Sequence, residues 1–422
     1  MFRFLHAADL HLDAPLKGLA EYPGAPVERL REATRTAFER LIQLAITRNV
    51  DFVVIAGDLF DGRWTNMQTG LWTANQFRLL QEQGIPVYLI RGNHDSLSAV
   101  PRTVSWPANV HEFPVDRPAT FELPELGVAV HGQGFASREL REDVAADYPT
   151  AVPDAFNIGL LHTSLAGDAR HDTYAPTSEQ VLVNKGYQYW ALGHIHLRQQ
   201  IRETPAIAYS GCTQGRHINE PGAKGCMFVT VDGTQVTSEF EPLDSLRWMQ
   251  LDIPLDECEH LDEVYDEIVS QLTTARDEAE GRFLAVRLRL IGNTPCHAEL
   301  TNSGKLEEIE SEIRNRGNDV GQLWIERIQF ETLPDINLEQ LRSADDLMGE
   351  LLRDLQHLQS TATEEELTEL AAALGPLQSK AATELREAEV DLTNADNIRR
   401  WLGDAEKLLL SQLLPRENAS TD

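Results

Sequence analysis

Positive charge is scarce in this chain. The 37 Lys and Arg stand against 67 Asp and Glu, for a formal net charge of −30. A protein that holds nucleic acid on its own basic surface usually carries the opposite balance. Either the substrate is not a polyanion, or local positive charge comes from metals, a few Arg and Lys, or a partner. Two divalent cations at a site would invert the local field. Cysteine is scarce too. Cys212, Cys226, Cys258 and Cys296 are scattered singly with no CxxC pair, which argues against a structural zinc site and a disulfide framework. No apolar run is long enough to span a membrane. No basic n-region precedes an apolar h-region at the N-terminus, so no signal peptide is expected. These absences point to the cytoplasm. Internal repeats and low-complexity segments are also missing.

What is present is ample core. A chain of 422 residues with 42% hydrophobic content fits a globular protein of two or three domains. The stretch from Asp51 to Asp61 organises it. Phe52-Val53-Val54-Ile55-Ala56 reads as a buried strand, and Gly57-Asp58 and Asp61 follow it. Four other strand-like runs end in the same kind of residue. They lead to Asp9-x-His11, Asn93-His94-Asp95, His162 and His194-x-His196. Ligands in open α/β sheets usually bind at strand ends. In extended chain, Asp9 with His11 and His194 with His196 fall on one side, so each pair is expected to hold one metal from a short segment.

Taken in order, residues 1–95 alternate strands with amphipathic helices over Val27 to Asn49 and Met67 to Gln83. Short antiparallel strands follow around 119–131. A Gly/Asp/Pro-rich loop covers 165–178, and more short strands run to 240. The sum is two sheets flanked by helices over 1–245, an α/β class. A small α+β domain is expected over 246–335, with strands at 247–254, 283–290 and 323–328. From 336 to 422 the chain reads as helical, acidic and Leu-rich. Leu347, Leu351, Leu355 and Leu358 form one stripe, and Thr363-x-x-Glu366 reads as a capping box. These helices either pack on the protein's own body or dock a partner.

The donor set decides the chemistry. Asp, Asn and His without Cys suit Mn, Fe, Mg or Zn rather than a thiolate site. Asp9, His11, Asp58, Asn93, His162, His194 and His196 are too many for one metal and suit two that share a carboxylate. A two-metal site clamps the attacking and leaving oxygens of an in-line phosphoryl displacement, with a metal-bound hydroxide as nucleophile. Arg170, His171, Arg216 and His217 lie in loops on either side of the His194 block. They are candidate substrate-phosphate contacts, since Arg forks suit phosphate oxygens. His6, His111 and His131 follow or lie within apolar runs and read as structural.

Asp9-x-His11, Gly57-Asp58-x-x-Asp61, Gly92-Asn93-His94-Asp95, His162 and Gly193-His194-x-His196 occur in the order of a known signature. In them the chain resembles the calcineurin-like metallophosphoesterases. The resemblance implies a four-layer αββα sandwich, with a small α+β capping domain and a helical C-terminal tail after it. It implies that Asp9, His11, Asp58 and His196 hold one metal and Asp58, Asn93, His162 and His194 the other. His94 would be a general acid or transition-state stabiliser, and Asp61 would orient it. Ala8 to Asp13, Ala56 to Asp61 and Gly92 to Ser96 look like SbcD-type DNA repair nucleases. Leu161 to Leu165, His171 to Pro176 and Gln214 to Ile218 look more like a YhaO-like branch. One departure is Gly211-Cys212, where Gly-Asn or Gly-Ser is expected.

The narrower resemblance implies a DNA exonuclease or endonuclease with two divalent cations, Mn2+ first and Mg2+, Fe2+ or Zn2+ as alternatives. It also implies an SMC-like (SbcC-type) ATPase partner bound through the C-terminal helices, and a homodimer. Two rival readings stand beside it. One is a phosphatase or phosphodiesterase for small or cyclic substrates, which the acidic charge favours. The other is a scaffold of low turnover that regulates the ATPase.

Overall fold

The computed structural model describes residues 1–14, 22–61, 67–97, 104–137, 142–165, 175–335, 338–380, 391–392 and 394–413. Two six-stranded sheets carry the N-terminal part. In the first, β1 (Phe2–Ala7), β2 (Phe52–Ala56), β3 (Val87–Ile90) and β4 (Val110–Glu112) run parallel. The antiparallel strands β11 (Gly225–Asp232) and β12 (Gln235–Pro242) extend it beyond β1. In the second, β6 (Val128–Gly132), β7 (Phe156–His162), β8 (Tyr189–Gly193) and β10 (Ala206–Tyr209) run parallel. Antiparallel β5 (Ala119–Leu123) and β9 (Gln199–Arg202) close its two edges.

The two-residue period of extended chain sorts these strands into layers. Phe4, Phe52, Val54, Tyr88 and Ile90 face one core together with Ile158, Leu160, Tyr189 and Ala191, which is the space between the sheets. Their neighbours Leu5, Ala7, Val53, Ile55, Val87 and Leu89 face a second core. Helices α1 (Val27–Thr47) and α2 (Met67–Glu82) cover that side through Phe38, Leu41, Ala74 and Phe77. Leu161, Trp190, Leu192 and Ile207 face a third core, under α3 (Glu179–Asn184). The order is helix, sheet, sheet, helix. Strands buried on both faces must be apolar throughout, which is why these runs do not alternate with polar residues. Two of the histidines read as structural are bonded within the sheets. His6 contacts the Tyr189 hydroxyl at 3.0 Å and the Leu192 carbonyl at 3.1 Å, and His131 bonds Thr120 and Asn157.

Beyond these sheets, β13 (Leu246–Pro254), β14 (Phe283–Thr294) and β15 (Leu323–Pro334) form a three-stranded sheet. β14 and β15 run longer than the apolar pattern predicts, to Thr294 and Pro334, and Arg289 on β14 pairs with Asp252 on β13 and Glu331 on β15. The chain divides into two compact units. One comprises Met1–Gln250, Thr274–Arg287 and Gly321–Glu326, and the other Leu251–Thr273, Leu288–Val320 and Arg327–Asp422. In the second unit, α8 (Leu347–Ser360), α9 (Glu364–Ala373) and α11 (Ala395–Leu413) pack on one another. Before and between them lie the long helices α4 (Leu261–Glu278) and α6 (Leu306–Val320) and the short helices α5 (His297–Leu300), α7 (Leu338–Ser343) and α10 (Gly375–Lys380). The capping box at Thr363 and Glu366 opens α9. The expected Leu stripe is rotated. Leu352 and Leu355 are buried, while Leu347 is 82% exposed, since it is the first residue of α8, directly after the Asp346 cap.

Candidate metal centre

Five strands deliver the site. β1, β2, β3, β7 and β8 end at Ala7, Ala56, Ile90, His162 and Gly193. The backbone does not stay extended beyond them. Asp9 (φ 52°), His11 (φ 45°), Asp58 (φ 53°) and His194 (φ 96°) lie in the left-handed region. For non-glycine residues this costs on the order of 1–3 kcal/mol each, and such strain concentrates at functional sites. Main-chain bonds hold it in place. The N–H groups of Asp9, His11 and Leu12 donate to the carbonyls of Gly57, Asp58 and Leu59, each at 3.0 Å. Asp13, just beyond, is anchored by Arg35 Nε at 2.6 Å and the Thr69 hydroxyl at 2.6 Å.

This geometry corrects the expectation from extended-chain spacing. Asp9 and His11 do converge, but through left-handed turns. His194 and His196 part company. The His194 ring packs against His162 with centroids 5.2 Å apart, and the His196 ring against His11 at 5.0 Å. Two glycines permit the crowding. A Cβ on Gly57 would strike His162 Nδ1, and one on Gly92 would strike the Asp58 carboxylate.

Two groups of donor atoms result. Asp9, His11 and His196 form one and Asp9, Asp58 and His162 the other, each with ligand atoms within 4.8 Å of one another; His11, Asp61 and His94, and His196, Cys212 and Glu220, cluster as closely at their margins. Asp58 Oδ2 stands between them, 3.8 Å from His11 Nε2 and 3.4 Å from His162 Nε2. Asn93 Oδ1 is 2.8 Å from the same His162 nitrogen. The His194 backbone N–H donates to both oxygens of Asp9 at 3.1 and 3.0 Å. Asp9, His11, Asp58, Asn93 and His162 are all buried.

The hydrogen-bond network assigns the imidazole protons. His162 Nδ1 lies 2.9 Å from the Ala56 carbonyl, which can only accept. Its Nε2 is then left facing Asn93 Oδ1 and Asp58. His11 Nδ1 faces Asp61 at 3.3 Å and His196 Nδ1 faces Glu220 at 2.6 Å. The Nε2 atoms of these two rings are 3.2 Å apart, and with each ring protonated at Nδ1, toward its carboxylate, both would turn lone pairs to the same point. Acceptors converging on one point without a donor fit a cation. The charges agree. Burial pulls His11 down to about 3, with the Arg216 charge adding to it. At His162 burial also pulls downward, but the Asp58 charge and hydrogen bond outweigh it and lift the pKa to about 9.

Residues 2–198 match the family model described as calcineurin-like phosphoesterase, and residues 248–333 the model for the middle domain of metallophosphoesterase YhaO. The "uncharacterized metallophosphoesterase YhaO" of Bacillus subtilis strain 168 is 34% identical over 357 residues, 83% of this chain and 86% of that protein. The chain belongs to the calcineurin-like metallophosphoesterase family. The DNA double-strand break repair protein Mre11 of Aeropyrum pernix is 29% identical over 256 residues, 55% of this chain and 59% of that protein. Among solved structures, a dimetal phosphatase from Danio rerio aligns at 11% identity and a TM-score of 0.34, covering 55% of this chain and 93% of its own. Members of the family use divalent metals, and the helix–sheet–sheet–helix order described above is the metallophosphoesterase fold.

The other predicted residues of this metallophosphoesterase fall as follows. His94 Nδ1 lies 2.9 Å from Asp61 Oδ1. Arg216 reaches into the site, with Nη1 3.7 Å from Asp61 and Nη2 3.1 Å from Glu220. His217 stands at its rim, 3.6 Å from Glu220 and half exposed. Arg170, His171 and the loop around them lie outside the described residues. Cys212 bridges to Ala8 and is buried, and burial pushes its thiol well above the ordinary range, so it is an inert packing residue.

Two functional neighbours were not assigned from sequence. Asp95 accepts from the N–H groups of Leu59, Phe60 and Gly92 at 3.1, 2.8 and 3.0 Å, tying the Asp58 turn to the Asn93 turn. Burial and the nearby Asp58 charge push its carboxyl up to about 7. Its place inside the Gly-Asn-His-Asp run was the available signal. Glu220 lies in a polar loop, and nothing in the local sequence marked it.

Proposed function

We propose that this metallophosphoesterase is a two-metal phosphodiesterase acting on DNA, an exonuclease or endonuclease that works with an SMC-like ATPase. The two-metal part rests on one observation: the two donor clusters have Asp9 in common, and Asp58 Oδ2 lies between a histidine of each, 3.8 Å from His11 Nε2 and 3.4 Å from His162 Nε2. In this reading Asp9, His11, Asp58 and His196 hold one cation, and Asp58, Asn93, His162 and His194 the other, with Mn2+ the favoured metal. When bound, the cations neutralise charge on the phosphorus centre and activate the attacking water. The chain's own residues position and exchange protons. Asp61 engages His94 Nδ1, which leaves Nε2 to hold or give a proton at the leaving oxygen. Burial works against the imidazolium of His94, but the Asp61 hydrogen bond and the Asp58 and Asp61 charges outweigh it and raise its pKa.

DNA as the substrate is supported by the likeness to Mre11. The net charge of −30 then calls for the cations, or the ATPase, to supply the basic path. Residues 1–245 would be the nuclease domain, 246–335 the capping domain and 336–422 the docking segment. The tail helices bury part of their apolar surface against each other, which narrows a docking face to what stays exposed, Leu347 included. Four buried free thiols suit a reducing, cytoplasmic setting. The acidic charge also favours a second reading, hydrolysis of small or cyclic phosphoesters.

The test is to strip the purified protein of metal, restore Mn2+, and supply linear DNA, a generic phosphodiester and a phosphomonoester in parallel. DNA degradation abolished by Asp58→Asn and His94→Ala is the expected result. Cleavage of small esters alone would favour the second reading. No turnover with metals bound would overturn both, and would favour a regulatory scaffold.

A further inference from the structure

Glu220 is a buried carboxylate whose oxygens are all engaged. Its Oε1 lies 2.6 Å from His196 Nδ1 and accepts from Arg216 Nη2 at 3.1 Å. Its Oε2 accepts from the Arg216 backbone N–H at 2.7 Å. Resting on the two-metal reading above, we infer that Glu220 is the positioning residue of the His196 ligand and that Arg216, through Nη2 and its backbone N–H, is its clamp.

Three observations carry this. First, His196 Nδ1 lies 2.6 Å from Glu220 Oε1 and 3.3 Å from Arg216 Nη2, and the much shorter contact is the one to the carboxylate, so Glu220 fixes the ring with Nε2 turned toward His11 and Asp9. A carboxylate behind a ligating histidine sets its tautomer and raises its basicity. Second, the Arg216 guanidinium spans two carboxylates that do the same work. It meets Glu220, behind His196, and lies 3.7 Å from Asp61, behind His94. Third, the Arg216 side chain is only 20% exposed, and turning it to a phosphate would uncover the buried charge of Glu220. A cation seated instead among His196, Cys212 and Glu220 would meet that guanidinium and would need the hydrogen bonds to Glu220 broken.

The experiment is a calorimetric titration of the metal-stripped full-length protein with Mn2+. It compares wild type, Glu220→Ala, Glu220→Gln, Glu220→Asp and Arg216→Ala, with thermal unfolding as the check on folding. Wild type is expected to bind two equivalents. Glu220→Ala should weaken one of them by about 10- to 100-fold. The other should stay near its wild-type affinity. Glu220→Gln, which still offers an oxygen to His196 Nδ1–H, should recover most of the loss. Glu220→Asp, too short to reach, should not, and it carries the test if the alanine variant fails to fold. Arg216→Ala should weaken the same equivalent, to a smaller extent.

Two wild-type-like equivalents in a folded Glu220→Ala protein would overturn the inference alone. So would a third wild-type equivalent lost on that substitution, which would make Glu220 itself a ligand. Unchanged Mn2+ affinity with a raised KM in Arg216→Ala would overturn the clamp. Wild type that binds no Mn2+ would overturn the two-metal reading and this inference together.

Discussion

His162 Nδ1 donates to the carbonyl oxygen of Ala56 at 2.9 Å, a bond that runs from β7 in one six-stranded sheet to β2 in the other. One hydrogen bond thus fixes the tautomer of a candidate ligand and joins the two sheets beneath the site. His162→Ala should cost about one of two bound metal equivalents while the other remains. Metal analysis of protein dialysed against Mn2+ measures it. Full stoichiometry in the variant would count against His162 as a ligand.

His94 differs from the ligands because it is partly exposed and its Nδ1 is bound to Asp61. His94→Ala should therefore leave metal stoichiometry unchanged and lower kcat by about 10²- to 10⁴-fold, the usual worth of a positioned acid or base. Steady-state kinetics with metal analysis separates the two effects. A parallel fall in metal content would make it a ligand instead.

Gly92 is one of the tightest points of the site. A Cβ there would run into the Asp58 carboxylate and its backbone N–H. Gly92→Ala should destabilise the fold by about 1–3 kcal/mol, the common cost of overpacking. It should also displace Asp58 and weaken metal binding, read by the same titration. A native melting temperature would show that the turn can yield.

The pH dependence of stability should carry the mark of His6. Burial holds this imidazole down at about 3, against an ordinary value of 6.5. Below pH 6.5 the unfolded chain takes up a proton that the folded chain refuses, so stability falls as pH drops from 6.5 toward 3. The slope from this one group is at most about 1.4 kcal/mol per pH unit. Denaturant melts of wild type and His6→Gln between pH 7.5 and 5 test it. The variant should lose less stability over that range, and equal slopes would refute the assignment.

In the helical region, Leu352 is fully buried and Leu347 is 82% exposed. Leu352→Ala should cost about 2–5 kcal/mol. Leu347→Ser should stay within about 0.5 kcal/mol, as surface substitutions usually do. Thermal unfolding of the two variants compares them directly, and a large loss at Leu347 would mean that this face is covered.

The sequence by itself determined the layers and the chemistry. Runs such as Phe52 to Ala56, apolar at every position and rich in β-branched residues, read as strands buried on both faces, and Asp, Asn or His at or just beyond the end of each marks the site. The donor types, Asp, Asn and His without thiolate, were equally legible. The tertiary structure alone decided how those donors are shared. His194 and His196 look like one pair in the sequence, yet the left-handed backbone at His194 sends their rings to different neighbours. Glu220 carried no local signal and Arg216 read only as a candidate phosphate contact, because their joint part depends on a loop folding back over His196. Periodicity reports which face of an element is buried. It says nothing of a turn held at positive φ by hydrogen bonds to another strand, or of a carboxylate brought in from 24 residues away.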